Sequence, residues 1–544
     1  MHKEVTMSDT SKNTSTKTQE VDMSRRNFLK FGGIAAAGAT VGGLAVAGVQ
    51  IGSSGQAYTG VGADRTGKAQ FFNRKPFEVD IPTGFAPVDT VERPHYTEFM
   101  HERTFTILPL LQSGRWNPSL GVENIPGPVG DYYRKRPEAF ATMMKAMEAG
   151  ARQNAEYYKE GGKNMRYAIS SAYGAAHLSV MYPYDGNFAF GQISHPLSPV
   201  DNAPAPPEEW DFRKIWRKKP MEFKSPAHAS ELIKAVTHAF GATLVGICKF
   251  DPTFMFTNYM RGIKDDHIEG GIPNRGRNVW GSEVPSHWKS LIVFGVPMNW
   301  DTALSATAYS SSFDGYSRLF SINALLEHFI QELGYPSRPQ MPPVNYEIIM
   351  PPYGALAGLG ELGRVGTLIT PELGMNVRLA GMVTNIDFEY DKPIDIGVRK
   401  FCEKCKICAD SCPSGAISKS SKPDEVVRGF RRWHNDGEKC FLQWSSAPTR
   451  EPSGCRICMG VCPYTRKNTW IHTLSREVDA RDPTGLVSSG LLAMQKGFFH
   501  YPEAQDYKAD WDGGKEYNYH NPPKWLRTEE YFKIDKTWEY GGNE

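Results

Sequence analysis

Cysteine is scarce along most of this 544-residue chain: of nine, only Cys248 lies outside the stretch Cys402–Cys462. Charge of one sign is lacking too. Lys and Arg number 62 against 60 Asp and Glu, with no basic tract, so nothing points to a nucleic-acid partner. Beyond one glycine- and alanine-rich run near the N-terminus, no apolar stretch is long enough to cross a bilayer. Gly62-Ala63-Asp64-Arg65-Thr66-Gly67-Lys68 has the outline of a phosphate loop. Ala69, however, stands where Ser or Thr is required and no strand precedes it, so that reading is discarded. What is plentiful is aromatic side chains (12%) and proline (38 residues), the composition of a loop-rich protein with bulky pocket walls. The length allows two or three domains with large cores.

The cysteines themselves carry the clearest chemistry. Cys402, Cys405, Cys408 and Cys412-Pro413 follow the spacing C-x2-C-x2-C-x3-C-P of bacterial ferredoxins, and Cys440 with Cys455, Cys458 and Cys462-Pro463 repeats it with a stretched first interval. Three-residue steps curl a short loop round one face of a cubane, while the fourth cysteine points away and ligates the other cluster. One 4Fe–4S cluster is therefore assigned to Cys402, Cys405, Cys408 and Cys462, the second to Cys440, Cys455, Cys458 and Cys412. Structural zinc is the main rival, but zinc sites usually supply cysteines in pairs. Disulfides fit less well, because cysteines this crowded cannot pair with relaxed geometry. Cys248, in the apolar run Leu244–Phe250, reads as a buried small hydrophobe.

The first residues read as an address. Ser24-Arg25-Arg26-Asn27-Phe28-Leu29-Lys30 is a twin-arginine export motif followed by the apolar stretch Phe31–Ile51. Gly55-Gln56-Ala57 offers small residues for a signal peptidase, so cleavage after Ala57 is expected. The residues before Met23 form a polar leader, and translation can be imagined to begin at Met23 instead. That route moves folded proteins, which suits cofactors inserted before export and favours metal ligation over disulfides.

Residues 58–224 look irregular, with proline-rich loops such as Pro196–Pro207 and short helical patterns such as Glu138–Tyr158. From Ser225 the pattern tightens. Ser225-Pro226 is a cap and first turn, and Ala229, Leu232, Ile233, Val236 and Phe240 share a helical face. Gly241 ends that helix. Thr243–Phe250 and Leu291–Pro297 read as strands, and Ser317–Leu333 as a second helix stopped by Gly334. Strands alternating with helices make this an α/β (α+β) layered chain. Asp265-Asp266-His267-Ile268-Glu269-Gly270 fits a histidine motif of some cobalamin carriers, but the companion elements are absent and His267 reads as a surface-loop residue.

Signal, layered core and double cysteine run together resemble the respiratory reductive dehalogenases, the corrinoid iron–sulfur enzymes of organohalide respiration. Asp391-Lys392-Pro393-Ile394-Asp395-Ile396-Gly397, Ala357-Gly358-Leu359-Gly360-Glu361-Leu362-Gly363-Arg364 and Trp433-His434-Asn435-Asp436 are similar to phrases of that family. The resemblance runs from about Ser225 to Trp470. It implies a nitroreductase-like core (225–398) holding a base-off corrinoid (cobamide) without a protein histidine on cobalt, which weakens His267. It also implies a two-cluster ferredoxin-like domain (399–470), a variable N-terminal region (58–224) after the signal (1–57), and a C-terminal segment (471–544).

By the same resemblance Tyr316, before Ser317-Arg318 at a helix start, is the proton donor. Asn345 orients, and Arg378 stabilises the phenolate left behind. Trp444 matches a pocket-lining position, with packing beside the cluster as the equal alternative. The segment Asn345–Met350 looks closer to members that act on halogenated phenols than to those that act on chloroethenes. The implied reaction replaces halogen by hydrogen with two electrons and one proton, the cofactor carrying the hard step. Expected partners are a small halogenated substrate, a small membrane-anchor protein and an upstream membrane electron donor. The expected location is the outer face of the cytoplasmic membrane, held peripherally. Rival readings are an epoxyqueuosine reductase-like enzyme, shorter and acting on tRNA, and an exported ferredoxin-type carrier, which leaves the core without purpose.

Overall fold

The computed structural model describes residues 72–88, 92–112, 114, 116–160, 176, 220–256, 288–299, 310–340, 348–446, 455–465 and 470–498. The export motif, the 62–68 loop, the 196–207 loop, His267 and Asn345 lie outside the described residues. Three helices come first: α1 (Met100–Gln112), α2 (Gly127–Arg134) and α3 (Pro137–Glu160), the last opened by proline at its first position. The expected short pattern at 138–158 is thus one long helix. These helices share a core in which Ile107, Trp116, Val129, Tyr133 and Met143 are fully buried, and which also takes in Phe256 and Phe441. The described parts of 58–224 therefore pack on the rest of the chain.

Next, Ser225 caps α4 (Pro226–Ala239), its side chain accepting from the His228 N–H at 3.1 Å. Strands β1 (Leu244–Lys249) and β2 (Ser290–Pro297) follow, then α5 (Ser310–Glu332), β3 (Ser337–Gln340) and the short α6 (Met350–Leu356). A small hairpin, β4 (Glu361–Leu362) with β5 (Leu368–Ile369), precedes β6 (Val377–Thr384). The main sheet runs β1-β2-β6-β3, antiparallel throughout. The layering is thus of the α+β kind.

Alternation sorts the strands' side chains. Val245, Ile247, Ile292, Phe294, Val296, Ala380 and Met382 face α4 and α5. Leu244, Cys248, Leu291, Val293, Val377, Leu379 and Val383 face α6. Every residue of β2 is buried because helices cover both faces, which is why its sequence is a continuous apolar run rather than an alternating one. Each fully buried Leu, Ile, Val or Phe of that run contributes about 1.5–3 kcal/mol.

Helix α5 begins well before the expected Ser317. Its first turns, Ser310-Ser311-Ser312-Phe313-Asp314, lack apolar periodicity and are held by polar contacts instead. Buried Asp314 accepts from the Asn299 N–H at 2.7 Å and from Arg318 at 3.0 Å.

The glycine-rich phrase after α6 is required by close backbone approach. Gly358 has φ +70°, and a Cβ there would lie 2.3 Å from the Lys392 carbonyl oxygen. Asp391 then closes the outer edge of β1. One carboxylate oxygen accepts the Ile247 N–H at 2.7 Å and the other meets Lys234. The cysteine-bearing part comprises α7 (Val398–Cys405), α8 (Ile407–Asp410), the hairpin β7 (Glu425–Val427) and β8 (Phe430–Arg432), α9 (Gly437–Ser446) and α10 (Ile457–Gly460). Helices α11 (Trp470–Arg481) and α12 (Leu486–Phe498) complete it, packing on one another and, through α12, on α7.

Candidate active site and cluster ligands

Tyr316 lies two turns into α5, half-buried, rather than at the helix start. Arg378 stands near the beginning of β6, paired with Val296 of β2 and facing α5. Its guanidinium carbon is 5.5 Å from the centre of the Tyr316 ring, within cation–π range. Two of its N–H groups donate to the Ser312 hydroxyl, from Nε at 3.1 Å and Nη2 at 2.6 Å. Ser312 is one turn before Tyr316 on the same helix face. Between them Gly315 leaves a notch, since a Cβ there would meet Arg378 Cγ at 2.7 Å. The structure thus brings Tyr316 and Arg378 together. Asn345 is not among the described residues.

The cysteines fall into two neighbourhoods. Burial, then the Cys462 and Cys405 thiols, push the Cys402 thiol up. Cys408 is raised by burial and by Cys402, Cys462, Cys458 and Cys405. In the other set, burial and then Cys455 and Cys412 raise Cys440. Cys458 is raised by burial, then by Cys455, Cys440 and Cys412, with Cys462 further down. Cys462 is therefore among the first run and Cys412 among the second.

The two runs are built alike. The Ile407 N–H donates to Cys405 and the Ile457 N–H to Cys455, whose thiols burial holds up at about 12. All nine cysteines are free. Among the described residues, no three His, Cys, Asp or Glu side chains converge as they would round a single metal ion. Eight buried or half-buried thiols, in two ferredoxin-type runs with a backbone N–H on Cys405 and on Cys455, are the donor set of iron–sulfur cubanes rather than of a zinc ion.

The first run is braced by groups that the cysteine spacing does not reveal. Arg364 donates to the carbonyls of Cys402 (2.6 Å), Ser418 (2.8 Å) and Ser420 (2.6 Å) and lies 4.6 Å over the Trp433 ring. Glu361 is buried. Its Oε2 accepts the N–H groups of Ile396 (2.7 Å) and Val398 (3.0 Å), at the start of the helix that carries Cys402. Its Oε1 has no hydrogen-bond partner among the described residues. Desolvation, with Asp395 next, pushes its carboxyl up to about 8 against the pull of those N–H groups and Arg399.

In the second run the residue matching Lys406 is Arg456. Lys406 takes a left-handed φ of 56°, whereas Arg456 has φ −146° and ψ 25°, is buried, and donates to Ser312 at 2.8 Å. Trp444, on α9 one turn past Cys440, is half-buried with its ring 4.7 Å from that of His101 on α1. Cys248 is buried in the sheet core, and burial pushes its thiol up.

Ser312, Arg456, Glu361 and Arg364 were beyond sequence reasoning. The available signals were helical spacing from Tyr316 for Ser312 and the unlike pair Lys406/Arg456 between the two runs.

Residues 401–465 match the family described as a 4Fe-4S double cluster binding domain, and residues 22–42 match the twin-arginine translocation pathway signal sequence. The chain is thus an iron–sulfur protein with two 4Fe–4S clusters, bearing the mark of twin-arginine export. It is 31% identical over 277 residues to the tetrachloroethene reductive dehalogenase of Sulfurospirillum multivorans, covering 47% of this chain and 54% of that protein. An epoxyqueuosine reductase of Lactococcus garvieae is 30% identical over 123 residues, covering 21% of this chain and 30% of that one. Among solved structures, the catabolic reductive dehalogenase NpRdhA in complex with 3-bromo-4-hydroxybenzoic acid aligns at 24% identity over 53% of this chain and 40% of that one, with a TM-score of 0.44. Over the matched stretch the chain is thus similar to reductive dehalogenases. It spans about half the length of the curated relatives it matches.

Proposed function

We propose that the protein replaces a halogen of a small organohalide by hydrogen, using two electrons and one proton and releasing halide. The observation that supports this most directly is Tyr316 under the permanently charged Arg378, a phenol and a cation joined through the Ser312 hydroxyl to the second cysteine run. The relatives' names add that carbon–halogen reduction is the chemistry of similar chains.

In this reading Tyr316 gives its proton to the carbon that loses the halogen. Arg378, facing the ring, stabilises the phenolate until it is reprotonated. Asn345 orients the substrate, and Trp444 forms a pocket wall with His101 beside it. Cys402, Cys405, Cys408 and Cys462 would hold one cluster, and Cys440, Cys455, Cys458 and Cys412 the other. The further cofactor proposed is a corrinoid, and Tyr316 and Arg378, facing one another on the α5 side of the sheet, would border its site. When bound, the clusters deliver single electrons and the corrinoid supplies the two-electron chemistry at the halogen-bearing carbon.

The proposed domains are 1–57, 58–224, 225–398, 399–470 and 471–544. The proposed location is the outer face of the cytoplasmic membrane, with a small anchor protein and an upstream electron donor. Export is supported by the signal match, and no helix among the described residues is long and apolar enough to cross a membrane.

The experiment is halide release from a panel of halogenated phenols and chloroethenes with reduced viologen, alongside iron and cobalt analysis. Wild type should release halide and carry cobalt, and Tyr316→Phe should abolish release while keeping both metals. Iron without cobalt, or full turnover by Tyr316→Phe, overturns the reading.

A further inference from the structure

We propose that Ser312 is a positioning residue: its hydroxyl holds Arg378 against Tyr316 and ties that guanidinium to Arg456, the neighbour of Cys455. The inference rests on the reading of Tyr316 and Arg378 as the proton-donating pair and adds a link between that pair and the second cysteine run.

Ser312 is 2% exposed and Arg456 5% exposed, so water does not compete for the hydroxyl. The Ser312 oxygen accepts from Arg378 Nη2 at 2.6 Å and Nε at 3.1 Å, and from Arg456 Nη2 at 2.8 Å. A hydroxyl oxygen offers two lone pairs, so these two side chains fill it. Two Nη2 atoms bound to one oxygen lie within about 6 Å of each other, where like charges repel.

The surrounding backbone is shaped for the same contact. Gly315 opens the slot for the Arg378 stem. Arg456 departs from the left-handed geometry of its counterpart Lys406, with a negative φ of −146° and ψ of 25°. Of the two matching positions only Arg456 contacts the α5 hydroxyl, so charge at the second run is felt at the phenol through one shared oxygen.

Removing the hydroxyl should let the two cations separate. In Ser312→Ala, Arg378 leaves its place beside Tyr316, and kcat for halide release falls about ten- to a hundredfold with KM little changed, the scale of loss for a misplaced group. Ser312→Thr, which keeps the oxygen, should recover most of that loss. A second readout needs no turnover. In EPR-monitored redox titrations of the iron-loaded protein, one cluster's midpoint should shift in Ser312→Ala while the other stays.

Unchanged kcat with both midpoints unmoved overturns the proposal, as does Ser312→Thr behaving like Ser312→Ala. Should Ser312→Ala fail to retain iron, Arg456→Lys decides. It keeps the charge but not the fork that reaches Ser312, and unchanged kcat in that variant overturns the link. A wild-type protein that releases no halide sinks the dehalogenase reading alone, and the midpoint shift then judges the link by itself.

Discussion

Replacing Glu361 by glutamine should erase a specific part of the protein's pH dependence. The carboxyl sits at about 8 in the fold against an ordinary 4.5, a gap worth at most about 5 kcal/mol. Desolvation is the main cause, since the side chain is buried and only Oε2 has donors, the N–H groups of Ile396 and Val398. Below about 4.5 the group is protonated whether the chain is folded or not. Between 4.5 and 8 only the fold keeps its proton, and above 8 both states are ionised. The stability contribution is therefore complete in acid and is lost as pH rises through that window.

Glu361→Gln keeps an acceptor for the two N–H groups and cannot ionise. Anaerobic denaturant titrations of both proteins at pH 5, 7 and 9 give the difference directly. Relative to the variant, wild type should lose several kcal/mol between pH 5 and 9. A difference that stays constant with pH would refute the account of Glu361 as a neutral buried acid.

Other expectations follow from single contacts. Cys412→Ser should remove the cluster of the second run and leave that of the first. Iron content would halve, and the surviving EPR signal would be the one that Cys462→Ser abolishes; loss of the first-run cluster from Cys412→Ser contradicts the crossed ligand sets. Asp391→Ala strips Lys234 of its partner and the Ile247 N–H of its acceptor at the sheet edge. With the carboxylate partly open to solvent, thermal unfolding should report a loss of about 1–2 kcal/mol, and an unchanged midpoint would deny that edge contact a role.

What could be read from the sequence divides along physical lines. The helix at 226–239 and the strands at 244–249 and 290–297 were legible because cap chemistry and apolar runs are local. The beginning of α5 was not. Ser310-Ser311-Ser312 carries no apolar period, and its helical state depends on Asn299 and Arg378, which arrive from elsewhere in the chain, as well as on Arg318 one turn beyond Asp314. The cysteines were legible because ligand geometry fixes their spacing.

The groups that surround them could not be seen, because Glu361, Arg364 and Arg456 act through tertiary contacts with no sequence period. The packing of the N-terminal helices against α9 was equally hidden. It depends on Arg103 meeting Glu438 in a buried pair, and no spacing rule joins residues so far apart.

The proposed grouping of Cys462 with Cys402, Cys405 and Cys408 bears on how the protein is made. A cluster whose last ligand is encoded so far downstream cannot be completed while the chain is still emerging through that interval, and Cys412 must wait likewise for Cys455 and Cys458. With those proposed ligand sets, loading would be a late event, and the two clusters would lock as one knot in which each run fastens the other. A signal that hands over its cargo only after folding leaves time for that knot to close.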